Sequence, residues 1–161
     1  MAVKTDAWVV HAGEKGAPPT RTELVRETFE FADPAPDEAL VSPLFGCMEG
    51  NMGHILDRKP IDICVARGEP RCVAGNAGVV RVEKAGPGCK TVKDGDLAIL
   101  FCNGQPDEFG YPRRIFGYDD PGSIGMMAKT TKLKAHQMIP IPKDTKYSLE
   151  RWAAFSLRYV T

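Results

Sequence analysis

The chain has 161 residues, 43% hydrophobic and 26% charged, the balance of one globular domain long enough to bury a core. Its 21 basic and 21 acidic residues cancel, so no net field favours nucleic acid or an anionic membrane surface. No apolar run approaches the roughly 20 residues of a bilayer span, and the opening MAVKTDAWVV lacks a signal-peptide pattern, which sets the expectation of a cytoplasmic protein.

Thirteen prolines and sixteen glycines, spread along the chain, predict short strands separated by frequent turns. DAWVVHA (6–12) reads as a strand that GEKGAPP breaks. In TELVRETFEF (22–31), Leu24, Arg26, Thr28 and Glu30 fall on one parity and Val25, Glu27, Phe29 and Phe31 on the other, a half-exposed strand. DPAPDE (33–38) is a turn, and ALVSPLFGCM (39–48) is a strand that Pro43 kinks or confines to an edge. Residues 49–60 are ambiguous; Asn51 is a candidate cap for a short helical turn through Asp57, which Gly53 weakens.

Residues 77–86 alternate again, with Val79, Arg81 and Glu83 facing one way and Val80, Val82 and Lys84 the other. A Gly-rich turn, a DGD turn and the apolar strand LAILF follow. Residues 102–122 read as a long loop, and IGMMAKTTKLKAHQMIPIP returns to strand character until Pro140 and Pro142. Only SLERWAAFSLRYV (148–160) is clearly helical, with Ser148 as N-cap, Glu150 in the first turn and Arg158 in the last. Its apolar face (Leu149, Trp152, Ala153, Phe155, Leu157, Val160) is wider than a surface helix needs and predicts self-association or a partner surface. The five cysteines (Cys47, Cys64, Cys72, Cys89, Cys102) are odd in number and never spaced CxxC, which predicts mostly reduced, buried thiols.

Three stretches carry a resemblance: AWVVHAGEKGAPPTRTELVRETFEFADPAPDEALVSPLFGCMEGN, GNAGVVRVEKAGPGCKTVKDGDLAILF, and GSIGMMAKTTKLKAHQMIPIPKDTKYSLERWAAFSLRYVT. In this order they resemble the GroES-like N-terminal domain of the medium-chain dehydrogenase/reductase superfamily, which includes zinc alcohol dehydrogenases, quinone reductases and enoyl-thioester reductases. The resemblance implies a mainly β fold: a partly open barrel over residues 1–161, with short helices and one C-terminal helix. It also implies a Rossmann cofactor domain, whose G-x-G-x-x-G loop this sequence does not contain.

The resemblance places the family's zinc thiolate on Cys47, its imidazole ligand on Asn76 and the neighbouring carboxylate on Ala77. A third ligand has no counterpart. Because an amide oxygen is a weak zinc donor and zinc needs about three protein ligands, no metal is expected. A set of His54, Cys47 and Glu49 is conceivable but needs convergence from one turn; His54, His11 and His136 read as surface or half-buried histidines. What remains resembles the metal-free reductases, which send a nicotinamide hydride to an enone or enoyl thioester. The implied catalytic residues are Cys47, Glu49, Asn76 and Tyr159, with Thr161 near the nicotinamide. Asn76 reads either as a donor facing the cleft or as a turn residue. Tyr111 and Tyr159 are possible phenolic donors or packing residues, and Arg113 and Arg114 are a phosphate contact or a solvated loop pair.

The sequence thus sets up a substrate-side domain of a zinc-independent NAD(P)H-dependent reductase, inactive alone, with NAD(P)H bound by the parent enzyme and not tightly by this chain. The expected partners are a small-molecule substrate, a Rossmann domain, and another copy of the chain through the C-terminal helix. The alternative is a stand-alone barrel that binds a small molecule or serves in assembly without redox activity. A co-chaperonin-like ring subunit is a third class, for which the chain is long.

Overall fold

The computed structural model of the chain describes residues 2–158. Ten short strands dominate, as the turn-rich composition predicts: β1 (Ala2–His11), β2 (Val25–Ala32), β3 (Glu38–Gly46), β4 (Arg71–Val73), β5 (Gly78–Ala85), β6 (Leu97–Leu100), β7 (Asn103–Pro106), β8 (Pro112–Ile115), β9 (Thr131–Lys134) and β10 (Met138–Pro140). The helices are α1 (Gly50–Asp57), α2 (Ile63–Arg67) and α3 (Leu149–Arg158), with a 3-10 turn at Ala135–Gln137. Among the described residues no helix is long and apolar enough to cross a membrane.

A five-stranded sheet in the order β10-β6-β5-β3-β9 forms the main wall, and a three-stranded sheet, β2-β1-β4, the second. Isolated bridges Ala7–Ala128 and Val73–Ile124 join β1 and β4 to the segment before β9. The expected mainly β, partly open barrel is the observed architecture. Its core fills from the main sheet: Ala39 and Val41 of β3, Val80 and Val82 of β5, Ala98 and Leu100 of β6, and Leu133 of β9. That is the parity the sequence alternation assigns to Val80 and Val82. Their opposite number, Val79, lies under α3 together with Ile99, Ile141 and Ala153.

This packing revises the wide apolar face of the last helix. Ala153 is buried, and Leu149 and Trp152 pack against the same cluster on the outside of β5 and β6. Trp152 also donates its indole N–H to Thr145 Oγ1 at 3.0 Å and meets Phe155 edge-on. Leu149, Trp152 and Ala153 thus lie against the chain's own sheet, Phe155 is exposed, and the side chains of Leu157 and Val160 lie outside the described residues. The N-terminal sheet has a separate core, where α1 and α2 bring Met52, Ile55, Ile63 and Cys64 onto Val10, Cys72 and Ala74.

Several local expectations change. The helix at α1 starts two residues earlier than an Asn51 cap implies; Glu49 occupies the N-cap position without a side-chain capping bond. The 102–122 stretch is not a plain loop, since β7 and β8 form a hairpin in it. Within 124–142 the strand character is confined to β9 and β10. Pro43 does mark a break, with register shifts between Leu40 and Val41 and between Pro43 and Phe45, yet β3 is an interior strand. Pro43 is tolerated there because β9 pairs only with Glu38–Val41. Two of the cysteines expected as thiols, Cys64 and Cys72, form a disulfide tying α2 to β4 (Cα–Cα 5.9 Å), while Cys47, Cys89 and Cys102 are free.

Candidate functional site

Residues 74–78, Ala-Gly-Asn-Ala-Gly, are all buried and connect β4 of one sheet to β5 of the other. The turn is clamped by backbone on three sides. Gly75 N–H donates to Gly117 O at 3.0 Å, Met126 and Met127 N–H groups donate to Gly75 O and Ala74 O at 2.9 and 3.0 Å, and Cys47 N–H donates to Ala77 O at 3.1 Å. The two bracketing glycines are demanded by this crowding. Gly75 has φ 112° and Gly78 φ 151°; a Cβ at Gly78 would stand 2.1 Å from Phe45 O, and one at Gly75 2.7 Å from Met126 N.

The clamp brings the expected site residues to one neighbourhood. Gly46 and Gly78 are ladder partners, so Cys47 and Ala77 continue side by side beyond the strand ends. Glu49 follows at the start of α1, with Oε1 buried and without a protein hydrogen-bond partner. Asn76 is 4% exposed and its Oδ1 is likewise buried without a protein partner. Two acceptors in that condition are costly to keep unless something else is gained. The carboxylate of Glu49 is felt by two groups that the sequence reading did not single out. Burial pushes the Cys102 thiol up, with Glu49 adding to it. Burial likewise raises the Tyr118 phenol, helped by the negative charges of Asp119 and Glu49. Both therefore stay protonated at neutral pH. Cys102 sits just past β6 and Tyr118 on the 116–128 segment, far apart in sequence and in no motif.

Tyr159 and Thr161 lie outside the described residues. The remaining candidates point elsewhere. His54 is exposed on α1. His11 meets Glu27 Oε1 at 2.5 Å, and His136 Nε2 lies 3.0 Å from Asn103 O. Tyr111, a packing residue on one reading, is 71% exposed at the β7–β8 tip. Arg114 is tied to Asp119 at 3.2 Å.

No three His, Cys, Asp or Glu side chains converge among the described residues in a way that could hold a metal ion. At the positions the resemblance assigns to an imidazole and a carboxylate, the turn offers a neutral amide and a methyl group. The residues present do not fit a resident zinc ion, which needs about three protein ligands.

No protein-family model matches the chain, and no curated protein sequence does. Solved structures do match. A crotonyl-CoA carboxylase/reductase superposes with a TM-score of 0.69 at 24% identity, covering 88% of this chain and 35% of its own. CAD from Helicobacter pylori, complexed with NADP(H), gives a TM-score of 0.74 at 13% identity over 96% of this chain and 46% of its own. A thermostable alcohol dehydrogenase from Pyrobaculum aerophilum gives 0.68 at 17% identity, over 96% and 44%. The chain thus spans less than half the length of each. At these identities the likeness shows the fold: that of a barrel found in medium-chain dehydrogenases and reductases.

Proposed function

We propose that the chain is the substrate-side domain of a zinc-independent, NAD(P)H-dependent reductase acting on an enone or an enoyl thioester. The observation that carries this reading is Asn76, a buried amide with an unpartnered oxygen, held between the two glycines of a turn whose Ala77 O accepts from Cys47 N–H. The neighbours named as crotonyl-CoA carboxylase/reductase support the reductase class, and the NADP(H) in the Helicobacter pylori structure supports the cofactor class.

The 161 residues contain no G-x-G-x-x-G loop, so these residues do not build a dinucleotide cradle, and the hydride would come from a nicotinamide held elsewhere in the parent protein. This chain's part is positioning and proton supply. The unpartnered Oδ1 of Asn76 is an acceptor, and marks the amide as one kept for a ligand. The Nδ2–H end of the same amide would donate to the carbonyl oxygen of the substrate, on which negative charge grows as hydride adds to the conjugated alkene. The proton that completes the reduction at the α-carbon would come from a phenol or solvent, with Tyr159 as the candidate phenol and Thr161 as the candidate residue for the nicotinamide side.

A second reading is favoured by the packing of α3. Because Leu149, Trp152 and Ala153 are covered by Val79, Ile99 and Ile141, the barrel closes over its own helix, as a self-sufficient binding or assembly module would. The deciding experiment reads the gene beyond the Thr161 codon and assays its full product for NADPH and NADH oxidation with enones and enoyl thioesters. A strand and glycine-rich loop downstream, with alkene-dependent oxidation that falls at least tenfold in Asn76→Leu, is the expected result. A stop codon after Thr161, or no alkene-dependent oxidation by the full product, would overturn the reductase reading in favour of the module.

A further inference from the structure

β1 and β2 pair so that Lys4, Asp6 and Trp8 stand opposite Glu30, Thr28 and Arg26. Alternation along each strand puts these six side chains on one face. Residues 127–129 run along the other edge of β1, with Trp8 N–H donating to Met127 O and Lys129 N–H to Asp6 O, both at 2.9 Å. Between this face and the end of β3 lies a groove of about 520 Å³, within the size range of small-molecule sites.

The lining is mixed in chemistry. Its apolar part includes Trp8, Phe45 and Met126, with Trp8 left 50% exposed. Its charged part adjoins Trp8, whose cross-strand partner is Arg26. Arg26 donates to Asp6 Oδ2 at 2.8 Å, Lys129 Nζ lies 3.6 Å from the same oxygen, and the Thr28 hydroxyl donates to Oδ1 at 3.3 Å. One carboxylate shared by two cations leaves one positive charge uncompensated. A smaller hollow of about 250 Å³ shares Asp6 and Lys129 with the groove, and Lys4, Thr28 and Thr130 also line it, adding hydroxyl donors.

We infer that this groove binds a small amphiphilic carboxylate, its apolar tail on Trp8, Phe45 and Met126 and its anionic head on the cations of Arg26 and Lys129, which Asp6 alone does not neutralise. A neutral ligand would leave the surplus charge unpaired, and a cation would be repelled by it. The groove abuts the Asn76 turn without including it: Gly46, in its lining, is the ladder partner of Gly78, and Met126, also in its lining, has its main-chain N–H bonded to Gly75 O. The inference does not rest on the reductase reading, since it needs neither cofactor nor hydride.

Titration calorimetry of the 161-residue chain at low salt, with octanoate, 1-octanol and octyltrimethylammonium as probes, tests it. Saturable octanoate binding is expected, with octanol at least about fivefold weaker and the cation weaker still. Arg26→Gln and Lys129→Gln should each weaken octanoate by about fivefold, the upper worth of an exposed ion pair, and leave octanol unchanged. Arg26→Lys should restore most of the loss, which separates lost charge from lost structure. Trp8→Ala should weaken octanoate and octanol alike. Absence of saturable octanoate binding overturns the inference. So does octanol or the cation binding as tightly as octanoate, or octanoate affinity unmoved by both Gln substitutions.

Discussion

The turn at 74–78 and the hairpin at 103–115 are built in opposite ways. The turn is short, buried throughout and held by main-chain hydrogen bonds from three other segments, so its sequence is dictated by space. The hairpin projects into solvent, and side chains hold it. Asp107 Oδ1 accepts from the N–H groups of Phe109 and Tyr111 at 2.9 Å each, Asn103 Nδ2 donates to Gly110 O at 2.8 Å, and Asp119 Oδ1 accepts from Ile115 N–H at 2.7 Å. Crowding punishes any added atom, whereas a side-chain scaffold punishes removal of its few acceptors and donors. The two regions should therefore fail under different substitutions.

The largest effect belongs to the turn. Gly78→Ala would set a Cβ 2.1 Å from a backbone oxygen of β3 and require a left-handed backbone at an alanine. Main chain cannot swing aside as a long side chain does, so we expect a loss of at least about 3 kcal/mol in urea denaturation. A loss under 1 kcal/mol would mean that the β3–β5 junction yields, and that the turn is not fixed by space.

Next comes the hairpin. Asn103→Ala removes a buried donor from Gly110 O and should cost about 1–2 kcal/mol. Asp107→Ala, at an exposed turn, should cost about 1 kcal/mol or less. Its sharper signature is local: faster amide exchange at Phe109 and Tyr111 with the turn at 74–78 unchanged. Exchange that quickened equally in both regions would dissolve the contrast between them.

Asn76→Ala sits between these regimes, and its sign is informative. Asn76 and Asn103 are both buried with an unpartnered Oδ1, but only Asn103 has a hydrogen bond that holds another segment. Removing an unsatisfied polar atom offsets the small cavity left behind, so a change within about 0.5 kcal/mol is expected. A cost above about 1.5 kcal/mol would identify Asn76 as a structural turn residue and remove the reason to treat it as an amide kept for a ligand.

The same contrast explains how much was legible in the sequence. Val80 and Val82 announce β5 because they meet the core while Arg81 and Glu83 on the other face are exposed, and such one-sided burial writes a period-two pattern; Val79, under α3, adds to the apolar start of the strand. Gly75 and Gly78 mark the turn because only glycine fits there. The hairpin writes no such pattern: Asn103, Gln105, Arg113 and Arg114 are polar residues chosen for local bonds, and Pro106 and Pro112 are paired opposite one another. Helix α2 is five residues long, started by Asp62 accepting from Cys64 and Val65 N–H groups and tied down by Cys64, too short to show a period. Within the site, the neighbourhood of Cys47 and Ala77 came from the resemblance. Cys102 and Tyr118 carry no local signal, because the fold alone brings them near Glu49.

The smallest effect is expected where the hairpin is most conspicuous. Phe109 and Tyr111 are 78% and 71% exposed, so their rings bury little area that folding could draw on. The geometry of the tip comes from main-chain N–H groups that Asp107 holds, and those survive when the rings are cut away. Phe109→Ser and Tyr111→Ser should each move stability by no more than about 0.5 kcal/mol, and the exchange of the tip amides should stay near that of the unsubstituted chain. If instead either loss exceeded about 1 kcal/mol, the rings would be packing in solution, and the hairpin would share the crowding logic of the turn from which it is here distinguished.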